Sequence, residues 1–160
     1  MSGLLDRFRE LLTGFETEDE PDERESRRIA VAALMYRVVD ADGTIRESEL
    51  ARLNELLRET YGLDEAGASA LLSAGRDADH GATDLYEHTS TLRRSLEMDE
   101  RVRLVELLFE LAYADESLHE GEDATVKRIA ELLGVDARDR VLARREVAER
   151  HGASVLPDES

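Results

Sequence analysis

Leu34-Met-Tyr-Arg-Val-Val-Asp-Ala-Asp42-Gly-Thr-Ile-Arg-Glu-Ser-Glu49 decides the reading of this chain, because its pattern occurs twice. Displaced by 73 positions, it falls on Leu107-Leu-Phe-Glu-Leu-Ala-Tyr-Ala-Asp115-Glu-Ser-Leu-His-Glu-Gly-Glu122. The apolar positions match, as do Ala41 with Ala114, Asp42 with Asp115, Glu47 with Glu120 and Glu49 with Glu122. In each copy an apolar helical run enters an acidic turn and a second amphipathic run leaves it. With one residue of slippage, Gly62-Leu-Asp64 also matches Gly134-Val-Asp136. Two copies are too few for a solenoid. They predict a duplicated helix-turn-helix unit, packed face to face about a pseudo-two-fold axis.

Outward from the repeat, the periodicity is helical almost throughout and nothing alternates as a strand does. Helices are expected near 22–40, 45–61, 64–75, 82–95, 99–114, 118–133 and 136–150. Gly62 and Gly134 suit the left-handed residue that ends a helix, and Asp64 and Asp136 can each cap the next one. Residues 76–83 read as the main internal loop. The fold class is therefore all-α, a compact bundle. Residues 1–15 are expected to form a short amphipathic helix, with Leu4, Leu5, Phe8, Leu11 and Leu12 at helical spacing. An acidic linker is expected at 16–25, where seven of ten residues are Asp or Glu. The helical domain then spans 26–150, and a tail follows at 151–160.

The 160 residues suffice for one domain with a core, which sparse aromatics and the absence of Trp leave to Leu, Val, Ile and Ala. A formal charge of −17 repels phosphate backbones and anionic headgroups, so nucleic acid is not an expected partner. The same field attracts metal cations and basic protein surfaces. The chain has no Cys, which excludes disulfides and zinc–thiolate sites. No apolar run is long enough to span a membrane and no signal peptide is visible, so a cytoplasmic location is expected. The amphipathic first helix leaves peripheral membrane association open and offers a contact for other proteins.

The repeated acids divide by task. Thr44 with Glu47 and Ser117 with Glu120 fit the capping box at a helix start. Asp42 closes the preceding helix, where its charge opposes the helix dipole, and Glu49 is read as too deep in the next helix to cap it. Asp115 and Glu122 repeat that arrangement. A cation would relieve each pair. The first copy approaches a calcium-binding EF-hand loop but has Val38 where a carboxylate is required; the second has Leu111 there and Glu116 in place of the turn glycine. Asp77, Asp79, His80 and Asp84 are read as ordinary loop composition, and Tyr36, Phe109 and Tyr113 as core.

The shared pattern Ala-Asp-(Gly)-x-(Ile/Leu)-x-x-x-Glu after an apolar helix resembles the tellurite-resistance TerB-like family over about residues 26–148. The resemblance implies a bundle of about seven helices, an acidic cation-binding surface and a link to stress responses. It implies Asp42, Glu49, Asp115 and Glu122 as ligands, with Asp40 added in the first copy only, because Tyr113 stands at its counterpart. The expected function is a non-enzymatic divalent-cation-binding interaction module for Ca²⁺, Mg²⁺ or Mn²⁺. The alternative is a metal-free acidic scaffold that recognises basic partner proteins. No nucleophile motif, phosphate-binding glycine loop or His-Glu-x-x-His signature argues for an enzyme.

Overall fold

In a computed structural model the described residues are 21–40, 45–81, 85–113 and 120–150, with the backbone alone at 21 and 120–122. The expected helix at 1–15, the linker up to residue 20 and the tail at 151–160 lie outside them. The described residues form seven helices and no strand: α1 (Pro21–Val39), α2 (Glu47–Tyr61), α3 (Glu65–Gly81), α4 (Tyr86–Ser95), α5 (Met98–Ala112), α6 (Glu120–Leu132) and α7 (Ala137–Arg150). Residues 21–25, read as the end of the linker, are the first turns of α1. Pro at the first helical position costs no hydrogen bond, and Asp22 and Glu23 suit the positive end of the helix.

The first helix of each repeat copy, α1 and α5, lies at the centre of the bundle. Every residue from Ala30 to Tyr36 is buried, and so are Leu104, Val105 and the run from Leu107 to Tyr113. A helix that is apolar on all sides must be surrounded, and α1 packs on α3, α4, α5 and α6. α1 and α5 pack on each other, while α2 rests mainly on α3. In each copy the first helix packs most extensively on a third one, α1 on α3 and α5 on α7, and α5 packs on α6 as well, so each duplicated unit extends to three helices.

Local signals end the helices as read. Gly62 and Gly134 have φ of 66° and 79°, the left-handed region that favours glycine. Gly67 N–H donates to Asp64 Oδ1 at 2.7 Å and Asp139 N–H to Asp136 Oδ1 at 2.9 Å, so both aspartates cap as expected. Arg101 joins two helix ends, donating from Nε to Leu96 O and from Nη1 to Leu133 O, each at 3.1 Å.

One expectation is overturned. Residues 76–81, read as loop, continue α3 to Gly81. The cause is tertiary. A Cβ at Gly75 would lie 2.8 Å from Ala32 Cβ and 2.9 Å from the Ala33 nitrogen, so this glycine serves the close approach of α3 to α1. One turn later Asp79 is buried and accepts from Arg37 Nε at 2.7 Å. The polar run is helical because α1 supplies its partners.

Candidate functional site

Of the five residues expected to bind metal, two are described with their side chains. Asp42 and Asp115 lie outside the described residues, and of Glu122 only the backbone is described. Asp40 stands half-buried just past α1, its amide donating to Tyr36 O at 2.9 Å. Glu49 is the third residue of α2, and Glu122, its counterpart in the repeat, lies in the first described turn of α6.

That position corrects the cap assignment in the first copy. Arg46, with φ −88° and ψ 155°, is the residue that precedes α2, and its N–H donates to Glu49 Oε1 at 2.8 Å. Glu49 N–H in turn donates to Arg46 O at 3.0 Å. Glu49 is thus the capping carboxylate, and Glu47, exposed at the first helical position, is not. The helix begins late because Ile45 first packs against the core. Arg46 Nε stands 3.7 Å from the same oxygen, and the Glu49 side chain is only 14% exposed. Its carboxylate folds back onto the backbone that precedes α2. Among the described residues no three His, Asp or Glu side chains form a metal-ligand group.

Each three-helix unit holds an ion pair with a buried acid that the sequence reading missed. Arg37 on α1 meets Asp79 on α3 at 2.7 Å; Arg150 on α7 meets Glu110 on α5 at 2.9 Å. Glu110 is the repeat counterpart of Arg37, so the two units carry the same link with its polarity reversed. The acid is buried and the arginine about one-third exposed in both, at 3% and 32% in the first and 2% and 32% in the second. Arg150 also reaches Glu106 at 2.9 Å, and the two carboxylates raise its pKa against the opposing effect of burial. The only sequence signal is a single charged residue, Arg37 or Glu110, inside each apolar run.

His88 on α4 is buried beside the first pair, and its Nε2 has no hydrogen-bond partner. Burial lowers its pKa, and Arg37 adds to that; Asp79, Glu87 and a hydrogen bond to the Ala78 backbone act the other way. His80, grouped with Asp77 and Asp79 as loop, packs edge-on against Tyr36 at 5.6 Å between ring centres. Tyr36, Phe109 and Tyr113 are buried, as expected of core. Val38 and Leu111, the residues that fail the EF-hand pattern, are core as well.

The family model described as tellurite resistance protein TerB matches residues 28–145. The chain belongs to the TerB family. The matched span opens within α1 and closes within α7, so the TerB match covers all seven helices in whole or part. A search of curated proteins and a search of solved structures returned no match. Among the described residues no helix is long and apolar enough to cross a membrane.

Proposed function

We propose that this TerB-family protein is a non-enzymatic, divalent-cation-binding interaction module with a role in stress responses of the tellurite-resistance type. The observation that carries this reading is the repeat itself, which sets Glu49 in α2 and Glu122 in α6, each seven residues after an Asp. Asp42 with Glu49, assisted by Asp40, would hold one ion, and Asp115 with Glu122 a second. These are hard oxygen donors suited to Ca²⁺, Mg²⁺ or Mn²⁺, with water completing the shell. One ion per turn is favoured over a single shared ion, because α2 and α6 are not among the helices that pack substantially on each other. The ion's contribution would be to neutralise clustered acids and fix the turns that present them.

A second reading rests on Glu49 as well. Its Oε1 already satisfies the Arg46 amide, a role that needs no ion. On that reading the chain is a metal-free acidic scaffold for basic partner proteins. Calorimetric titration with Ca²⁺ and Mg²⁺ separates the two. Saturable heat in the wild type, lost in the Glu49→Gln, Glu122→Gln double variant, supports cation binding. Equal and negligible heats for both proteins refute it and leave the scaffold.

A further inference from the structure

His88 ties the first ion pair to a third helix. It lies on α4 and is 5% exposed, and its ring donates to the carbonyl of Ala78 on α3, the residue before Asp79. Nε2 is buried without a partner, so that donor is Nδ1, and Nε2 carries the bare lone pair of a neutral ring. The charged groups that act on it are Asp79 from α3, Arg37 from α1 and Glu87 from its own helix. Among the described residues α6, which also packs on α4, adds none. His80, the residue after Asp79, is exposed and turns to Tyr36 instead. The second unit has no such neighbour: its pair is built from Arg150, Glu106 and Glu110, and the described histidines, His80 and His88, both belong to the first.

A proton on Nε2 sets a second cation beside a single buried carboxylate, with an N–H that has no acceptor. The exposures decide which cation gives way. Asp79 and His88 are 3% and 5% exposed and cannot reach water, whereas Arg37 is 32% exposed and can. We propose that protonation of His88 transfers Asp79 from Arg37 to His88 and releases the C-terminal end of α1 from α3, a switch thrown by mild acid. Arg37 turns out to solvent, where its charge is hydrated, and the buried carboxylate keeps a cationic partner throughout. The transfer adds to the link between α4 and α3 that Ala78 already makes, and removes the one between α1 and α3. Burial holds the pKa of His88 below its ordinary 6.5, so the pair with Arg37 is intact at neutral pH and the transfer begins as pH falls below that value. The switch requires no cation in either acidic turn.

Nitrogen NMR of the full chain between about pH 8 and pH 5, above the range in which ordinary carboxylates titrate, tests the transfer. The imidazole nitrogens of His88 report its tautomer and charge, and the Nε–H signals of Arg37 and Arg150 report the two pairs. His88 is expected to pass from a ring protonated at Nδ1 alone to one protonated at both nitrogens. With the same midpoint, the Arg37 Nε–H signal should move to the position of a solvated arginine. Arg150 Nε–H, which donates to Glu110 at 3.2 Å, should stay and serve as the reference within the same molecule. In His88→Gln the Arg37 signal should stay as well. Glu87→Gln, an exposed change that removes a carboxylate favouring the charged ring, should move both midpoints to lower pH together. The wild-type titration stands without either variant. The proposal is overturned if His88 takes up its proton while Arg37 Nε–H stays, if both arginine signals move together, or if Arg37 moves equally in His88→Gln. A His88 that remains neutral to the end of the range overturns it too.

Discussion

Replacing Arg37 by Met removes the cation from a pair whose acid cannot reach water. Asp79 is 3% exposed and held at 2.7 Å by Arg37 Nε, whereas Arg37 is 32% exposed. Breaking a fully buried pair by deleting one partner costs about 3–5 kcal/mol, because the remaining charge is stranded. Here solvent reaches the arginine side and screens part of that charge, so the expected loss is about 2–3 kcal/mol. For a domain of this size that corresponds to a fall in Tm of roughly 5–12 °C. The Arg37→Glu, Asp79→Arg double variant restores the pair with the polarity already used between α5 and α7, and should recover at least half of the lost stability. Urea unfolding followed by circular dichroism measures both quantities on the wild type, Arg37→Met, the swapped variant and its two single variants Arg37→Glu and Asp79→Arg. A loss below about 0.5 kcal/mol, the range of ordinary surface substitutions, would show that Asp79 is not stranded. A swapped variant no better than the worse single variant would show that the two units do not tolerate the pair in either direction.

Two further outcomes follow from the same region. His88 has a lowered pKa in the folded chain, chiefly through burial, so folding favours its neutral form. Its contribution is fully present above the ordinary 6.5 and is lost as pH falls below that value toward the folded pKa. Urea midpoints should therefore drop between pH 7.5 and 5.5 in the wild type, and drop less in His88→Gln; equal slopes would contradict the assignment. The second concerns α3. Gly75→Ala sets a Cβ 2.8 Å from Ala32 Cβ and 2.9 Å from α1 backbone. Overpacking of about 1–3 kcal/mol should outweigh the helix-propensity gain of roughly 1 kcal/mol. Gly81→Ala, which meets nothing within 4 Å, should be neutral or stabilising. Thermal unfolding of the two variants checks the contrast.

The amino-acid order alone determined much of this protein. The 73-residue repeat, the all-α class, the helix stops at Gly62 and Gly134 and the caps at Asp64 and Asp136 were all legible. Each rests on interactions within a turn or two of chain, where periodicity and capping chemistry act. The correspondence of Glu49 with Glu122 follows from the same repeat, although the capping role of Glu49 was misread because the docking of Ile45 delays the helix start.

Only the tertiary structure decided the rest. Whether residues 76–81 are loop or helix depends on α1 lying against Gly75 and offering Arg37 to Asp79, 42 residues away in sequence. The reversed pair of Glu110 with Arg150 spans 40 residues and required α7 to return to α5. In each case a charge that would be an ordinary solvated residue on an isolated helix acquires its partner, and its energetic weight, from a surface that local sequence does not encode.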